Sequence, residues 1–301
     1  MARILISGAS GLVGSVLLPS LKNNGVEVTR LTRGGRENSA GSGPTIPWDP
    51  AQPISAKAVS GFDAVIHLAG ESLIGRWTAS KKASIRDSRI LGTRNLALAL
   101  ANAQERPSVF ISASAIGYYG NRGDELLNEE SAPGSGFTAD VSREWEAATQ
   151  PALDAGIRTA HLRTGIVLST AGGALSKMLL PFKMGVGGRI GDGRQWMSWI
   201  DIQDMAGAIH HILKSDLLQG AVNLVAPKPV TNEEFTKTLA RVLSRPTIFS
   251  VPAFAAKLVF GQMAEELLLA SQRVEPTRLI TSGYPFRFGD LQASLQAMLR
   301  K

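Results

Sequence analysis

Cysteine is absent from this chain, which removes disulfides, thiol nucleophiles and cysteine metal sites from consideration together. Histidine is scarce: there are four, and the only adjacent pair, His210 and His211, fits one helix better than a metal set, so no metal is expected. Tyrosine occurs three times, and no lysine lies between Lys82 and Lys177. No uninterrupted apolar run approaches the roughly 20 residues that cross a bilayer, and no charged-plus-apolar leader opens the chain. The expected location is therefore the cytoplasm, with no membrane partner.

What is present describes a folded globular protein. A hydrophobic fraction of 44% with only 19% charged residues excludes a disordered chain, and 301 residues allow one large α/β domain or two joined lobes. The net charge of +7 raises nucleic-acid binding, but the basic residues are scattered, with no long run and no recognised motif. An anionic cofactor or small-molecule substrate is the simpler partner, nucleic acid is not expected, and the assembly considered is a homodimer.

The stretch at 4–33 organises the rest. Ile4, Leu5 and Ile6 form a short apolar run, after which Gly8, Gly11 and Gly14 fall three apart where a strand should turn into a helix. A dinucleotide needs a tight turn, a backbone that approaches its pyrophosphate without a Cβ, and close packing of helix on strand; the three glycines meet these needs in turn. Ser10, Leu12 and Val13, between them, open a helix whose unpaired N–H groups face the phosphates. Pro19 sits inside that helix and predicts a kink or early end. A second strand, 26–31, runs into Thr32 and Arg33, where an acidic residue would select NAD and an arginine pairs with the extra 2′-phosphate of NADP. The expected cofactor is NADP(H).

GASGLVG followed by DAVIHLAG at 63–70 resembles the extended short-chain dehydrogenase/reductase superfamily, which includes sugar-nucleotide epimerases. More closely, HLAGESLIGRW, SASAIGYYG, REWEAA, LPFKMGVGGRIGDGRQWMSWI and the carboxy-terminal tail are similar to its atypical epimerase-like members, sometimes labelled cell-division-inhibitor homologues. The resemblance covers nearly the whole chain. It implies that Leu68, Ala69 and Gly70 lie along the cofactor, that Arg89, standing where many relatives have asparagine, meets cofactor phosphate or an acidic substrate, and that Val167 is a cofactor contact. Arg163 and Trp199 are the residues assigned to substrate.

Along the chain, 34–53 reads as an exposed Gly/Ser/Pro loop anchored by Trp48 and Asp49, followed by a strand at 63–68, a helix at 79–101 and a strand at 109–114. A helix at 138–154, a strand at 159–168, a glycine-rich excursion from Ser169 and a strand at 196–202 come next; Asp204 is expected to cap the following helix, and Thr231 with Glu234 to open another. The expected fold is α/β: a Rossmann-type doubly wound parallel sheet over residues 1–168, then a smaller interleaved C-terminal substrate lobe over 169–301, with about 196–225 returning to the core.

The chemistry is where this chain departs from its relatives. The superfamily's dehydrogenases use a serine or threonine, a tyrosine, and a lysine four residues after it, which lowers the phenol pKa. Ser114 suits the first role. The residues four after Tyr118, Tyr119 and Tyr284 are Arg122, Gly123 and Phe288, and the expected helix offers Phe137 or Thr138 followed by Val141 or Ser142. The Tyr-Lys pair is absent. Tyr118 or Tyr119 beside Ser114 can still donate a proton to a carbonyl, and Glu71 can exchange one. Two readings follow: an NADP(H)-dependent oxidoreductase or epimerase-like enzyme with a nonstandard acid-base set, acting on a carbonyl or nucleotide-linked substrate, or a noncatalytic NADPH-binding sensor or regulator.

Overall fold

A computed structural model of the chain describes residues 1–33 and 43–299. Of the loop expected over 34–53, residues 34–42 lie outside the described residues. Among the described residues, seven strands form one parallel sheet: β1 (Arg3–Ser7), β2 (Glu27–Thr32), β3 (Thr45–Pro47), β4 (Ala64–His67), β5 (Val109–Ala115), β6 (Arg158–Thr164) and β7 (Gly220–Leu224). Their spatial order is 3-2-1-4-5-6-7, so the winding reverses between β1 and β4 and opens a crevice at the carboxyl ends there. The helices that concern the site are α1 (Leu12–Asn23), α2 (Ala79–Ala101), α3 (Phe137–Ala147), α4 (Gln150–Asp154), α5 (Gly173–Lys183), α6 (Ile202–Lys214), α7 (Asn232–Leu243) and α8 (Ala253–Phe260). The fold is a Rossmann-type α/β fold, as expected.

Strands buried on both faces need apolar residues in succession rather than alternation, and β1 and β4 comply with ILIS and AVIH fully buried. One face carries Ile4, Ile6, Ile66 and Leu162 against α1 and α6; the other carries Leu5, Val65 and Phe110 against Leu96 and Leu100 of α2. Each such side chain contributes roughly 1.5–3 kcal/mol by leaving water. No helix among the described residues is long and apolar enough to cross a membrane.

Several local expectations are corrected. The early end allowed for at Pro19 does not occur: α1 runs through it to Asn23, with Pro19 and Ser15, whose carbonyl loses its amide partner, both facing solvent. Part of the exposed loop is instead the edge strand β3, and Trp48 after it is buried. The helix at 138–154 is two helices: Thr149 Oγ1 donates to Glu146 O at 2.7 Å, and Pro151, lacking an N–H, sits in the first turn of α4 where none is needed. The strand at 159–168 breaks at Gly165, where a Cβ would lie 2.5 Å from Ser198 O; Ile166–Leu168 leaves the main sheet to pair with Trp199–Asp201. The strand at 196–202 is likewise split, Trp196–Met197 pairing instead with Val230–Thr231. Asp201, not Asp204, caps α6 by accepting from Gln203 N at 2.8 Å. Asp204 accepts from Arg287 N and Phe288 N and so ties the C-terminal region to α6. The capping box of Thr231 and Glu234 forms as read.

His67, at the end of β4, is fully buried and hydrogen-bonded through Nδ1 to Ser7 Oγ at 2.6 Å. Burial pushes its imidazole down from 6.5 to about 4. Below pH 6.5 the unfolded chain therefore takes up a proton that the folded one refuses, and stability falls as pH drops towards about 4. Urea unfolding at pH 7 and pH 5 is expected to differ by about 2 kcal/mol more in the native chain than in His67→Asn. Equal pH dependence in the two would refute this assignment. His161, whose imidazole is also pushed down by burial, is common to both and cancels.

Candidate functional site

The crevice begins at the glycine turn. Gly8 has φ of +71°, and a Cβ there would sit 2.7 Å from Ala69 N and Leu68 C, so β1 and the end of β4 touch backbone to backbone. A Cβ on Gly14 would lie 2.4 Å from Gly8 O, which locks the first turn of α1 onto the strand it leaves. α1 has Gly11 at its N-cap, no side-chain cap and no acid in its first turn, so its positive end is open towards the crevice. Ser10 is exposed in the turn, and Leu12 and Val13 follow half-buried. Leu12 Cδ2 lies 3.0 Å from the Cβ position of Gly173, and Val167 O lies 3.5 Å from it. Sequence-distant Leu68, Ala69 and Val167 thus converge on the start of α1.

Cations line the crevice beyond the turn. Arg33 is exposed directly after β2, with half-buried Thr32 before it. Arg89, on α2, is buried; its Nη1 donates to Glu71 O and Ile85 O, both at 3.0 Å, and its guanidinium stacks on Trp145 at 4.9 Å. A Cβ on Gly70 would meet Arg89 Cζ at 3.3 Å, so the glycine makes room for the cation. Burial lowers Arg89 to about 10, which still leaves it charged at neutral pH. No carboxylate lies within ion-pair distance of Arg89 among the described residues. Open helix end, glycine cradle and the cations Arg33 and Arg89 are a donor set matched to a dinucleotide's phosphates.

The acid-base expectations fare differently. Glu71 is ion-paired: Lys81 Nζ sits 2.6 Å from its Oε1, and that hydrogen bond, with the fields of Lys81, Arg33 and Arg89, holds the carboxyl below its usual range. Ser114 Oγ gives its only proton to Glu146 Oε1 at 2.7 Å. Arg163 lies beside Ser114 in the β5–β6 register and is clasped by the same carboxylate, Nε to Oε1 at 2.8 Å and Nη2 to Oε2 at 2.9 Å. Its Nη1 donates to Tyr119 Oη at 3.0 Å and to Glu129 O at 3.3 Å, so four of its five N–H groups are engaged inside the protein and the side chain, only 4% exposed, is held in the core rather than presented to substrate. Burial alone would lower Arg163, but the two bonds to Glu146 outweigh it and raise it. Tyr119 is fully buried, donates to Asn223 Oδ1 at 2.8 Å and is pushed up by burial to about 12, so it is a core residue rather than a proton donor. Trp199 is also fully buried, its indole donating to Lys228 O, which excludes substrate contact. Tyr118 remains: half-buried, its ring face 3.5 Å from Arg163 Cζ, it alone of the three tyrosines makes no O–H hydrogen bond among the described residues.

Two residues that shape the site escaped sequence reasoning. Glu146 centres the buried network; its signal was Arg163 itself, because an arginine within an apolar strand demands a carboxylate. Glu266 reaches from the C-terminal region to the uncapped start of α3, accepting from Phe137 N at 3.1 Å and Thr138 N at 2.7 Å, where the superfamily's tyrosine would stand. Nothing local in the sequence marks it.

Over residues 4–224 the chain matches the model of the NAD dependent epimerase/dehydratase family. The chain belongs to that family. Residues 251–298 match a domain of unknown function, DUF1731. Within the family, the chain is 40% identical over 296 residues to the epimerase family protein Mb2239 of Mycobacterium bovis, covering 98% of this chain and 96% of that one. The crystal structure of human epimerase family protein SDR39U1 (isoform 2) with NADPH is similar with a TM-score of 0.88 and 33% identity, over 98% of each chain. A nucleoside-diphosphate sugar epimerase from Corynebacterium glutamicum is similar with a TM-score of 0.82 and 39% identity, over 99% of this chain and 58% of that one.

Proposed function

We propose that this family member binds NADP(H) across the crevice and acts as a cytoplasmic oxidoreductase or epimerase-like enzyme on a carbonyl or nucleotide-linked substrate, with Tyr118 as the proton donor. One observation carries the cofactor reading: Arg33 stands exposed after β2, on the strand next to the glycine cradle of Gly8, Gly11 and Gly14, where a 2′-phosphate needs a cation. NADPH in the similar human structure supports it. The cradle and α1 would hold the pyrophosphate, with Arg89 as a further cation. The cofactor, when bound, supplies hydride chemistry; the chain's own part is to bind it, exclude water and present the Tyr118 hydroxyl.

Calorimetric titration tests the anchor. Arg33→Ala is expected to weaken NADPH by roughly ten-fold, the loss of a charged hydrogen bond, and to leave NADH unchanged. Equal weakening of both cofactors, or no change, would remove Arg33 from the 2′-phosphate.

The locked Ser114–Glu146–Arg163 cluster favours a second reading, a noncatalytic NADPH-binding regulator, because it leaves no standard donor free. Substrate-dependent NADPH oxidation that falls in Tyr118→Phe supports the enzyme; cofactor-dependent partner binding without turnover supports the regulator.

A further inference from the structure

We propose that the face built from α5, the stretch 245–251 and α8 docks on an anionic lipid surface. Two segments far apart in sequence meet there. Ser250 and Val251 pair with Arg189 and Ile190, Gly191 N donates to Val251 O at 2.9 Å, and Arg245 Nε donates to Lys183 O at 2.9 Å.

Each helix presents a mixed stripe to solvent. Along α5 and its C-cap, Lys177, Leu180 and Met184 recur at i, i+3 and i+7, and along α8 Phe254, Lys257 and Leu258 recur at i, i+3 and i+4. Between them stand Ile248 and Phe249. Exposure is high: 83% for Ile248, 76% for Leu258 and 73% for Phe254. Ten of the eighteen exposed large apolar side chains among the described residues fall within 180–186 and 248–260, a concentration that single scattered surface residues do not produce.

Charge selects the occupant. Residues 172–191 and 244–264 contain no aspartate or glutamate, yet carry Lys177, Lys183, Arg189, Arg245 and Lys257. Among the described residues, the acids within ion-pair distance of these cations are Glu265, 2.8 Å from Lys257, and Glu233, 3.8 Å from Arg189, and Asp192 directly follows the first stretch. A second copy of this chain on the same face would set one cationic rim against another. A bilayer with anionic headgroups answers both parts of the surface, phosphates for the lysines and the acyl boundary for Phe254 and Leu258. The sequence expectation of no membrane partner rested on the lack of a spanning segment, and lying on the surface requires none.

Sedimentation of the full chain with vesicles tests this. Binding is expected to phosphatidylcholine–phosphatidylglycerol vesicles and not to phosphatidylcholine alone, and to weaken as salt is raised. Lys177→Glu and Lys183→Glu are each expected to weaken it roughly five-fold or more. The double variant Phe254→Ser/Leu258→Ser is expected to lose roughly ten-fold or more, since two exposed apolar side chains no longer enter the boundary. All four side chains are exposed, so NADPH binding and thermal melting should stay native and serve as controls. No binding to anionic vesicles overturns the proposal, as does equal binding to neutral ones. A dimer that the double variant converts to monomer, without vesicle binding, also overturns it and assigns the face to a second copy.

Discussion

Gly14→Ala is expected to weaken NADPH by roughly 100-fold or more, the scale of a displacement of about an ångström in a positioned site. The added methyl would stand 2.4 Å from Gly8 O and 2.6 Å from Ala9 Cα. Both neighbours are backbone, so no side chain can swing away. α1 must lift from β1, and the turn that bares its N–H groups to the phosphates opens with it. Gly25→Ala is the control: Gly25 has φ of +75° but nothing within 4 Å of its Cβ position. It should cost about 1 kcal/mol of stability and leave binding intact. Native NADPH affinity in Gly14→Ala would mean that the cofactor does not lie on this cradle.

Glu146→Leu is expected to destabilise the chain by roughly 3–5 kcal/mol, the cost of stranding a buried cation. Glu146 makes both charged bonds to Arg163 and the bond from Ser114, and the two side chains are 12% and 5% exposed. Once the carboxylate is gone, Arg163 keeps Tyr119 and the carbonyl of Glu129 as hydrogen-bond partners and the face of Tyr118, none of them charged. Removing the charge as well should recover much of the loss, so Glu146→Leu/Arg163→Met is expected to be more stable than Glu146→Leu alone. Denaturant unfolding of the two single variants and the double variant checks this. Additive losses would show that the pair is not coupled and that the cluster around Ser114 is held by something else.

The cluster explains why the positions of the candidate acid-base residues were legible and their hydrogen-bond partners were not. That Ser114 lies near the carboxyl end of β5 was legible, because the apolar run that precedes it marks the strand. What the hydroxyl bonds to depends on Glu146, 32 residues later, and on Arg163, which the β5–β6 register brings alongside. Tyr118 and Tyr119 are neighbours in sequence with similar prospects, yet a single turn of 3-10 helix buries one against Asn223 and leaves the other half-buried over Arg163. Glu71 looked free because Lys81 is ten residues on, at the start of the next helix.

By itself the sequence determined the parallel sheet, the glycine turn and the position of Arg33, because each rests on short-range physics: apolar runs for buried strands, glycine where a Cβ collides, and a fixed distance from turn to second strand. The capping box at Thr231 and the full length of α2 belong to the same class. Tertiary structure decided which polar groups are available. It clasped Arg163, closed off Trp199 and Tyr119, neutralised Glu71 with Lys81, and drew Glu266 to the bare start of α3. The reason is physical: a buried charge must find its partner wherever the fold delivers one, and that partner's place in the chain leaves no local trace.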